Sequence, residues 1–481
     1  MFLVNSYINS QVITFKKNFG YLCYNDFGRC IQQTPDNGYI IAGYINDNSA
    51  DILPNIPSQC YIIKIDSLGN TDWTKTKSYT DNLIYITSVF QTNDSCYIVN
   101  GWIDNIYTPW NTYGLLIKLD KQGDTLWTKM YINIKNINKT CQTLDKGYFL
   151  PGITKSDHNI HLIRTDNKGD TLWTKIYNIK HPYSATQSAD SGYVITGCDN
   201  TYASAFLFKT DKNGDSLWFK TYSNSFGYAS GYDVYLTSDK GYIITGETLG
   251  PPPDYKTATY LVKTDENGDT LWTKTYIGSN NYGSAGGSVQ QTNDNGFIIT
   301  GWIYEDNINY NSCIYLMKTD ANGDTLWTKT FNCVPGFSYL KDAGFCVRQT
   351  NDQGYILAGQ RYMGAFGGYD MYVIKTDSLG NVYNTSEIEN ELLIPHIKLK
   401  IYPNPFSNKT TIMFQLSESD NVKLKVYNYT GEYVATLFNH SVNAGELYKI
   451  TFNTKKLPAG VYYGVLQTDN RQITKKMVII K

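Results

Sequence analysis

Two short motifs alternate seven times along the chain, and this repetition restricts the fold more than any other feature of the sequence. The first motif is a glycine, an aromatic residue, apolar residues and a second glycine four positions after the aromatic one. Its copies begin at Gly38, Cys96, Gly147, Gly192, Gly241, Gly296 and Gly354, with Cys96 in place of glycine. A tandem unit of about 45–58 residues is typical of a propeller blade.

The second motif is Lys-x-Asp-x-x-Gly followed by Asp or Asn, with arginine replacing the lysine once. Its aspartates are Asp66, Asp120, Asp166, Asp211, Asp265, Asp320 and Asp377. In six copies a tryptophan follows the glycine, namely Trp73, Trp127, Trp173, Trp218, Trp272 and Trp327. We interpret these tryptophans as packing anchors between repeats, because a large ring needed in every unit suits structure better than ligand binding.

Each repeat divides into four short strands, A to D. In the sixth repeat we assign strand A to residues 286–292, B to 297–301, C to 313–319 and D to 324–331. Strand B is apolar on both faces, as expected of a sheet held between two neighbours. The sequence therefore predicts an all-β, seven-bladed β-propeller.

The seventh repeat lacks a normal strand D, because Val382-Tyr383-Asn384 follows its last turn without the tryptophan. Residues 12–20 near the other end of the chain resemble residues 270–278, a complete strand D. We predict that residues 11–20 supply the outer strand of the seventh blade. Such closure removes an exposed sheet edge.

The repeat resembles those of secreted bacterial β-propellers with a Lys-x-Asp-x-x-Gly-Asn-x-x-Trp signature, over residues 11 to about 383. It is also similar to the tryptophan-docking repeats of quinoprotein propellers. Those repeats usually place glycine four residues after the aspartate, whereas Gly123 follows Asp120 by three, and those enzymes usually have eight blades. We therefore expect no cofactor. A propeller fold alone does not identify a function.

A different pattern occupies the last part of the chain. It contains Tyr-Pro-Asn-Pro-Phe from Tyr402, a Thr-Gly turn at Gly431, and Leu-Pro-Ala-Gly-Val-Tyr around Gly460, and its short alternating strands predict a small Ig-like β-sandwich. The set resembles the type A C-terminal sorting domain of the Bacteroidetes type IX (Por) secretion system. The motif residues are Tyr402, Pro403, Asn404, Pro405, Gly431, Gly460, Tyr462, Lys475 and Lys476. The alternative is an ordinary adhesive sandwich module.

We divide the chain into four parts. Residues 1–10 are a signal-peptide remnant, 11–383 the propeller, 384–397 a linker and 398–481 the sorting domain. The alternative for residues 1–10 is a plain polar arm. The resemblance implies contact with the type IX machinery and a secreted or outer-membrane-surface location. With 42 basic and 43 acidic residues, the balanced charge argues against a nucleic-acid partner. We expect a monomer without a membrane span.

Metal binding is not predicted. The Asp-x-x-Gly-Asp turns could offer carboxylates to calcium, but one turn supplies too few oxygens, and aspartate bonding to backbone N–H groups explains the pattern better. His158 and His161 lie three apart on a strand and so point to opposite faces, which does not suit shared zinc ligation.

Two further sets of residues have structural interpretations. The basic residues Lys64, Lys118, Arg164, Lys209, Lys263, Lys318 and Lys375 recur two places before each turn aspartate, which suits a repeated pairing role. Cys30 and Cys346 occupy equivalent points of the first and last repeats. We interpret both as small buried residues, with a disulfide as the alternative.

Variable loops between strands B and C give the best indication of a binding site. They carry Trp102, Tyr107, Trp110, Trp302, Tyr304, Arg361 and Tyr362, whose planar groups suit stacking on sugar rings or on the side chains of a protein ligand. No catalytic set is evident. We therefore predict a non-enzymatic binding or adhesion protein, with an extracellular polysaccharide- or peptide-degrading enzyme, or a structural surface component, as alternatives.

Overall fold

The computed structural model divides the chain into two compact units, residues 1–385 and 386–481. The residues that it describes are 12–20, 25–46, 58–79, 82–105, 112–199, 201–224, 227–250, 252, 256–278, 283–304, 311–331, 342–363, 368–383, 397–416, 419–443, 446–455, 457–469 and 472–480. Within these ranges, no helix has the length and apolar character needed to cross a membrane.

The N-terminal unit is built of short antiparallel strands. They are β1 (Phe15–Phe19), β2 (Asn25–Gln33), β3 (Tyr39–Asn46), β4 (Gln59–Ile65), β5 (Thr71–Lys77), β6 (Asn82–Gln91), β7 (Tyr97–Asn105), β8 (Thr112–Leu119), β9 (Thr125–Tyr131), β10 (Ile134–Lys135), β11 (Cys141–Gln142), β12 (Tyr148–Thr154), β13 (Asn159–Thr165), β14 (Thr171–Lys180), β15 (Pro182–Gln187), β16 (Tyr193–Cys198), β17 (Ala205–Thr210), β18 (Ser216–Tyr222), β19 (Ala229–Leu236), β20 (Tyr242–Leu249), β21 (Thr257–Thr264), β22 (Thr270–Tyr276), β23 (Ser284–Gln291), β24 (Phe297–Tyr304), β25 (Ser312–Thr319), β26 (Thr325–Phe331), β27 (Ala343–Gln349), β28 (Tyr355–Tyr362) and β29 (Tyr369–Thr376).

These strands form sheets that resemble propeller blades, one for each sequence repeat. The first sheet is β2-β3-β4-β5, and the second is β6-β7-β8-β9. The third holds β12-β13-β14 with an inner strand split into β10 and β11. The fourth, fifth and sixth are β15–β18, β19–β22 and β23–β26, and the last is β27-β28-β29-β1. Strands B and C of each sheet are almost wholly buried, while strand D alternates between exposed and half-buried residues.

The outer strand of the last sheet comes from the other end of the N-terminal unit. Strand β1 pairs antiparallel with β29, and Phe15 lies opposite Lys375. In the fifth sheet the residue opposite the equivalent lysine, Lys263, is Trp272. Phe15 therefore occupies the tryptophan position. The sequence alignment of residues 12–20 with 270–278 places Thr14, not Phe15, at the position of Trp272. That alignment is therefore wrong by one residue.

Each strand D docks an aromatic ring on the next sheet, as the fourth and fifth sheets illustrate. The Trp218 ring meets Tyr242 edge-on, with centroids 6.4 Å apart. A Cβ added at Gly268, whose φ is +79°, would lie 2.7 Å from the Trp218 ring. Only glycine fits there, because the turn needs a left-handed residue and the ring fills the space of a side chain. The same pairs recur as Trp73–Gly123, Trp127–Gly169, Trp173–Gly214, Trp272–Gly323 and Trp327–Gly380.

Phe15 continues this series between the last and first sheets. A Cβ at Gly69 would lie 2.9 Å from the Phe15 ring, and the ring meets Tyr39 edge-on at 6.2 Å. Lys17 donates to Asn70, the residue after Gly69, at 3.1 Å. Lys220 donates in the same way to Asp269, the residue after Gly268. The packing role predicted for the tryptophans is confirmed, and phenylalanine performs it once.

An ion pair between a mostly buried basic side chain and an exposed aspartate lies under each turn between strands A and B. In the fifth sheet Lys263 donates to Asp239 at 2.8 Å and to the Thr264 carbonyl at 2.9 Å. A Cβ at Gly241 would lie 2.8 Å from the lysine nitrogen, so this glycine leaves room for the ammonium group. The pairing role predicted for the recurring basic residues is confirmed. The other pairs are Lys64–Asp36, Lys118–Asp94, Arg164–Asp145, Lys209–Asp190, Lys318–Asp294 and Lys375–Asp352.

Hydrogen bonds from the threonine or serine that starts each turn, together with the paired cation, lower the pKa of every aspartate in these pairs. Burial alone would raise the pKa of Asp190, but hydrogen bonds from Lys209 and Ser188 outweigh it and lower the pKa to about 2. The turn aspartates of the second motif have another role, since Asp265 accepts the backbone N–H groups of Asn267 and Asp269. Turn chemistry therefore explains that motif, as predicted.

The C-terminal unit is a β-sandwich. Its strands are β30 (Ile397–Tyr402), β31 (Lys409–Leu416), β32 (Asp420–Asn428), β33 (Tyr433–Val442), β34 (Tyr448–Asn453), β35 (Gly460–Gln467) and β36 (Gln472–Ile479). One sheet has the order β30-β31-β34 and the other β33-β32-β35-β36. Leu424, Phe414 and Met477 belong to the single core between them.

We predict that Phe15→Ala destabilises the N-terminal unit by about 3 kcal/mol, the usual cost of deleting a buried aromatic ring. Phe15 is 8% exposed and is the only ring that docks on Gly69 in the described part of the chain. Urea unfolding measures the change. Val12→Ala, at a side chain that is 41% exposed, is the control. Equal stability of the two variants would contradict the docking role of Phe15.

We also predict acid sensitivity. A carboxylate whose pKa is lower in the folded state stabilises the fold above its unfolded pKa, about 3.9, and loses that effect as the pH falls through the folded value. The free energy of unfolding should therefore fall between about pH 4 and pH 2, with on the order of 1 kcal/mol from each pair, since the aspartates are partly exposed. Urea titrations across this range should show a smaller fall for Asp190→Asn than for wild type. An identical fall would refute the assignment.

Candidate functional site: the axial cavity

The innermost strands share a β-bulge that adds one side chain to the centre of the N-terminal unit. Strand register shifts at Gly28/Cys30, Ile86/Ser88, Pro182/Ser184, Gly231/Asp233, Gly286/Ser288 and Gly344/Cys346. The unpaired bulge residues are Arg29, Thr87, Tyr183, Tyr232, Gly287 and Phe345. In the third sheet Asn138 lies at the same point, in the gap between the two inner strands. Bulges often re-aim side chains next to functional sites.

The bulge residues surround a cavity of about 320 Å³. All seven inner segments contribute to its lining, so the cavity lies where the inner strands converge. The residue that follows each bulge residue also lines the cavity, and we call these residues the second tier. Each of them lies four positions before the Thr or Ser that starts the turn between strands A and B. This tier consists of Cys30, Ser88, Lys139, Ser184, Asp233, Ser288 and Cys346. Tyr44, Trp102 and Arg348 also line the cavity.

The second tier links neighbouring sheets through hydrogen bonds. Cys30 Sγ lies 3.4 Å from the Val89 carbonyl, and the Val289 N–H donates to Asp233 at 3.2 Å. These bonds satisfy buried polar groups and fix the wall of the cavity. The cavity is therefore a rigid feature of the scaffold.

Asp233 is the most constrained charged group in this wall. It accepts hydrogen bonds from Lys139 at 2.7 Å, Ser184 at 2.7 Å and Ser288 at 3.0 Å. Burial by itself raises the pKa of Asp233, but the charges of Lys139 and Arg348 outweigh it and leave the pKa below its usual value. Three cations and this one carboxylate are among the lining residues, so the lining is positive overall.

Arg29 is held in a box of aromatic rings. Its guanidinium lies 4.2 Å from the centroid of Phe345 and 5.4 Å from those of Phe27 and Tyr44, and it donates to the Tyr44 hydroxyl at 2.8 Å. The described residues place no carboxylate within ion-pairing distance of it. Cation–π contacts and the hydroxyl orient the guanidinium, and within the described ranges no carboxylate compensates its charge.

Two residues of the predicted binding set lie in or beside the cavity. Trp102 lines it and stacks on Tyr85, with centroids 4.9 Å apart. Trp302 stacks at 6.1 Å on Tyr232, which lines the cavity. Both rings are half-buried, so each keeps an accessible part.

The other members of the predicted set lie elsewhere. Tyr362 meets Tyr369 edge-on, and the Arg361 guanidinium lies 5.3 Å from the Tyr372 centroid. The Tyr304 N–H donates to the Gly283 carbonyl at 2.8 Å, in the link between sheets. None of these three residues is in the cavity lining.

The prediction that the set lies on loops is wrong for its described members. Strand β7 contains Trp102, β24 contains Trp302 and Tyr304, and β28 contains Arg361 and Tyr362. Tyr107 and Trp110 are outside the described residues.

The loop-based prediction missed the bulge residues. Arg29, Tyr183, Tyr232 and Phe345 belong to strand A and were not considered. One signal could have revealed them: the residue five places before each turn Thr or Ser changes its chemical type from repeat to repeat, whereas the motifs around it recur.

In the C-terminal unit, the sorting motifs meet at one strand. Asn404 donates to the Lys476 carbonyl and accepts the Val478 N–H, both at 2.8 Å, so this side chain bonds to the backbone of β36. Pro403 and Pro405 flank it, and both are exposed. Lys475 and Lys476 are exposed on the same strand.

The remaining motif residues shape turns and strand ends. Gly431 has a φ of +85° and donates to the Asn428 carbonyl, which closes a hairpin. Gly460 begins β35, and the buried Tyr462 donates to the Pro458 carbonyl at 3.1 Å. Tyr402 ends β30.

Comparison with protein families matches residues 400–480 to the secretion system C-terminal sorting domain. The resemblance to the type IX sorting domain is thereby confirmed, and the protein is secreted to the extracellular space or the cell surface. No curated protein sequence matches the chain.

Solved structures with similar folds share little sequence with the chain. A protein of unknown function from Bacteroides caccae is 11% identical, with a TM-score of 0.39, over 56% of this chain and 90% of that one. A fungal alcohol oxidase of the AA5 family in complex with copper is 9% identical, with a TM-score of 0.45, over 97% and 99%. A putative exo-β-1,3-galactanase from Bifidobacterium bifidum is 13% identical, with a TM-score of 0.33, over 55% and 99%. Such likenesses carry no functional argument.

We predict that Lys139→Met destabilises the N-terminal unit by about 3 kcal/mol, because it leaves the buried Asp233 carboxylate without its nearest cation. Adding Asp233→Asn should recover part of the loss, since the charge is then removed. Urea unfolding of both variants measures this, with Lys274→Met at an exposed ion pair as the control. A Lys139→Met variant as stable as the control would show that the pair does not hold the wall.

Proposed function

Because the sorting domain exports this chain, we propose that its N-terminal unit is an extracellular binding protein whose axial cavity takes an acidic saccharide unit. In this proposal the unit is a seven-bladed propeller that spans residues 11–383 and is closed by strand β1. The Arg29 guanidinium at the wall of the cavity, which no carboxylate of the described residues pairs with, carries the proposal. A fixed cation beside half-exposed rings suits a sugar that bears a carboxylate.

The chemistry of the lining supports this ligand class. Trp102 and Tyr232 are half-buried members of the lining and offer flat faces for the apolar side of a sugar ring. Arg29 offers a planar donor pair that matches a carboxylate. A volume of about 320 Å³ is at the small end of ligand pockets, so we expect one or two sugar units to enter.

The geometry favours binding over catalysis. Hydrolysis of glycosides commonly uses two carboxyl groups on opposite sides of the scissile bond. Asp233 is the single carboxylate among the lining residues, and Lys139, Ser184 and Ser288 already engage it. The degrading-enzyme alternative therefore has weaker support from the described residues.

The residues of the predicted set outside the lining, including Arg361 and Tyr362, are proposed as a second contact area for longer chains. Tyr107 and Trp110 belong to the same proposal. The sorting domain is proposed to act separately, as the part that meets the type IX machinery.

The test is calorimetric titration of the full chain with oligogalacturonate and with neutral galactose oligomers of the same length. We expect binding of the acidic oligomer, weakened by salt because a charge pair contributes to it. Arg29→Met keeps the packing of the side chain and should lower the affinity about tenfold or more. Lys274→Met, an exposed cation on strand β22, should leave the affinity unchanged.

Equal binding of both oligomers would reject the acidic ligand class, and no binding of either would reject a saccharide site. The same mixtures should be assayed for new reducing ends. Their appearance would establish the enzymatic alternative instead.

A further inference from the structure

Two cysteines meet where the first and last sheets adjoin. Cys30 Sγ and Cys346 Sγ lie 3.7 Å apart, although the residues are 316 positions apart in the chain. They are 7% and 4% exposed. Both stand in the second tier of the cavity wall, where the other sheets have serine, lysine or aspartate.

The other cysteines differ from this pair. Cys30, Cys346, Cys60, Cys96, Cys141 and Cys198 are all free thiols in this structure. Among the described cysteines, only Cys30 and Cys346 lie within hydrogen-bond distance of each other. Cys313 is disulfide-bonded to a partner outside the described residues. Export to an oxidising compartment makes disulfides stable.

We propose that Cys30 and Cys346 form a disulfide in the exported protein, so that a covalent bond joins the first and last sheets. To form the bond, the sulfurs must approach from 3.7 Å to about 2.05 Å. The inference concerns the scaffold and does not depend on any ligand of the cavity.

The oxidant is a protein disulfide of the cell envelope, and the exchange is balanced. One cysteine thiolate attacks that disulfide, forms a mixed disulfide and releases one thiolate of the oxidant. The second cysteine then attacks the mixed disulfide and releases the other. Two electrons pass to the oxidant, and the protons of the two cysteines end on its two thiols.

The surroundings of the pair favour this reaction. The hydrogen bond between the two thiols, assisted by the nearby Arg348 guanidinium, lowers the pKa of the Cys346 thiol. A thiolate is the reactive form in exchange. Because both side chains are buried in the folded unit, the exchange takes place as the two sheets come together.

Such a bond would have a large effect on stability. A cross-link between residues far apart removes many conformations from the unfolded chain. Here it spans 316 positions and secures the place at which the two ends of the repeat array meet.

The first experiment is peptide mapping of the full chain after export into an oxidising periplasm and trapping with N-ethylmaleimide. Trypsin should release Cys346 in residues 342–348 and Cys30 in residues 30–64. We expect these peptides to be joined, with Cys60 of the second peptide alkylated. If both Cys30 and Cys346 carry the label while Cys313 remains oxidised, the proposal is overturned.

The second experiment compares melting temperatures with and without a phosphine reductant. The reductant should lower the melting temperature of wild type by roughly 5 °C or more beyond its effect on Cys346→Ser. The variant reports the contribution of the Cys313 disulfide alone. Equal shifts for the two proteins would contradict a stabilising bond, and Cys30→Ser should behave as Cys346→Ser does.

Discussion

The docking of an aromatic ring on a left-handed glycine is the contact on which the N-terminal unit depends. Strand D of each sheet has one face in solvent, so it buries little surface within its own sheet. The ring of Trp218 instead covers Gly268 and Tyr242 of the next sheet, and the same contact recurs around the unit. A side chain on the glycine would fill the space of the ring, and a right-handed residue would not form the turn. Each sheet thus provides both a ring and a site for the preceding ring.

The residues that hold the sheets together are different from the residues that line the cavity. The ion pairs of a mostly buried lysine or arginine with aspartate and the docking rings recur because every sheet needs them. The bulge residue faces the axis and takes no part in either contact, so its type is free to change. Arginine, tyrosine, phenylalanine and glycine all occur there. A repeated fold with one variable inward position gives an asymmetric cavity within a nearly symmetric frame.

Much of the fold could be predicted, because the glycine and tryptophan spacings reflect contacts made within a sheet or with its neighbour. The place of Phe15 required strand register, since phenylalanine and tryptophan differ and the flanking lysines align equally well one position away. The cavity was harder to predict. A bulge reverses which side chains point inward, and alternation in sequence does not show where the reversal occurs. Trp102 was predicted as a loop residue but lies in strand β7, and Arg29 and Lys139 were not predicted as site residues.

The pairing of β1 with β29 has a consequence for biogenesis. The last sheet needs residues from near both ends of the N-terminal unit, so it cannot be completed before residues 369–376 have been made. Until residues 369–376 emerge, β1 has no partner and the array retains an open edge. The topology therefore delays completion of the last sheet until nearly all of the N-terminal unit has been made.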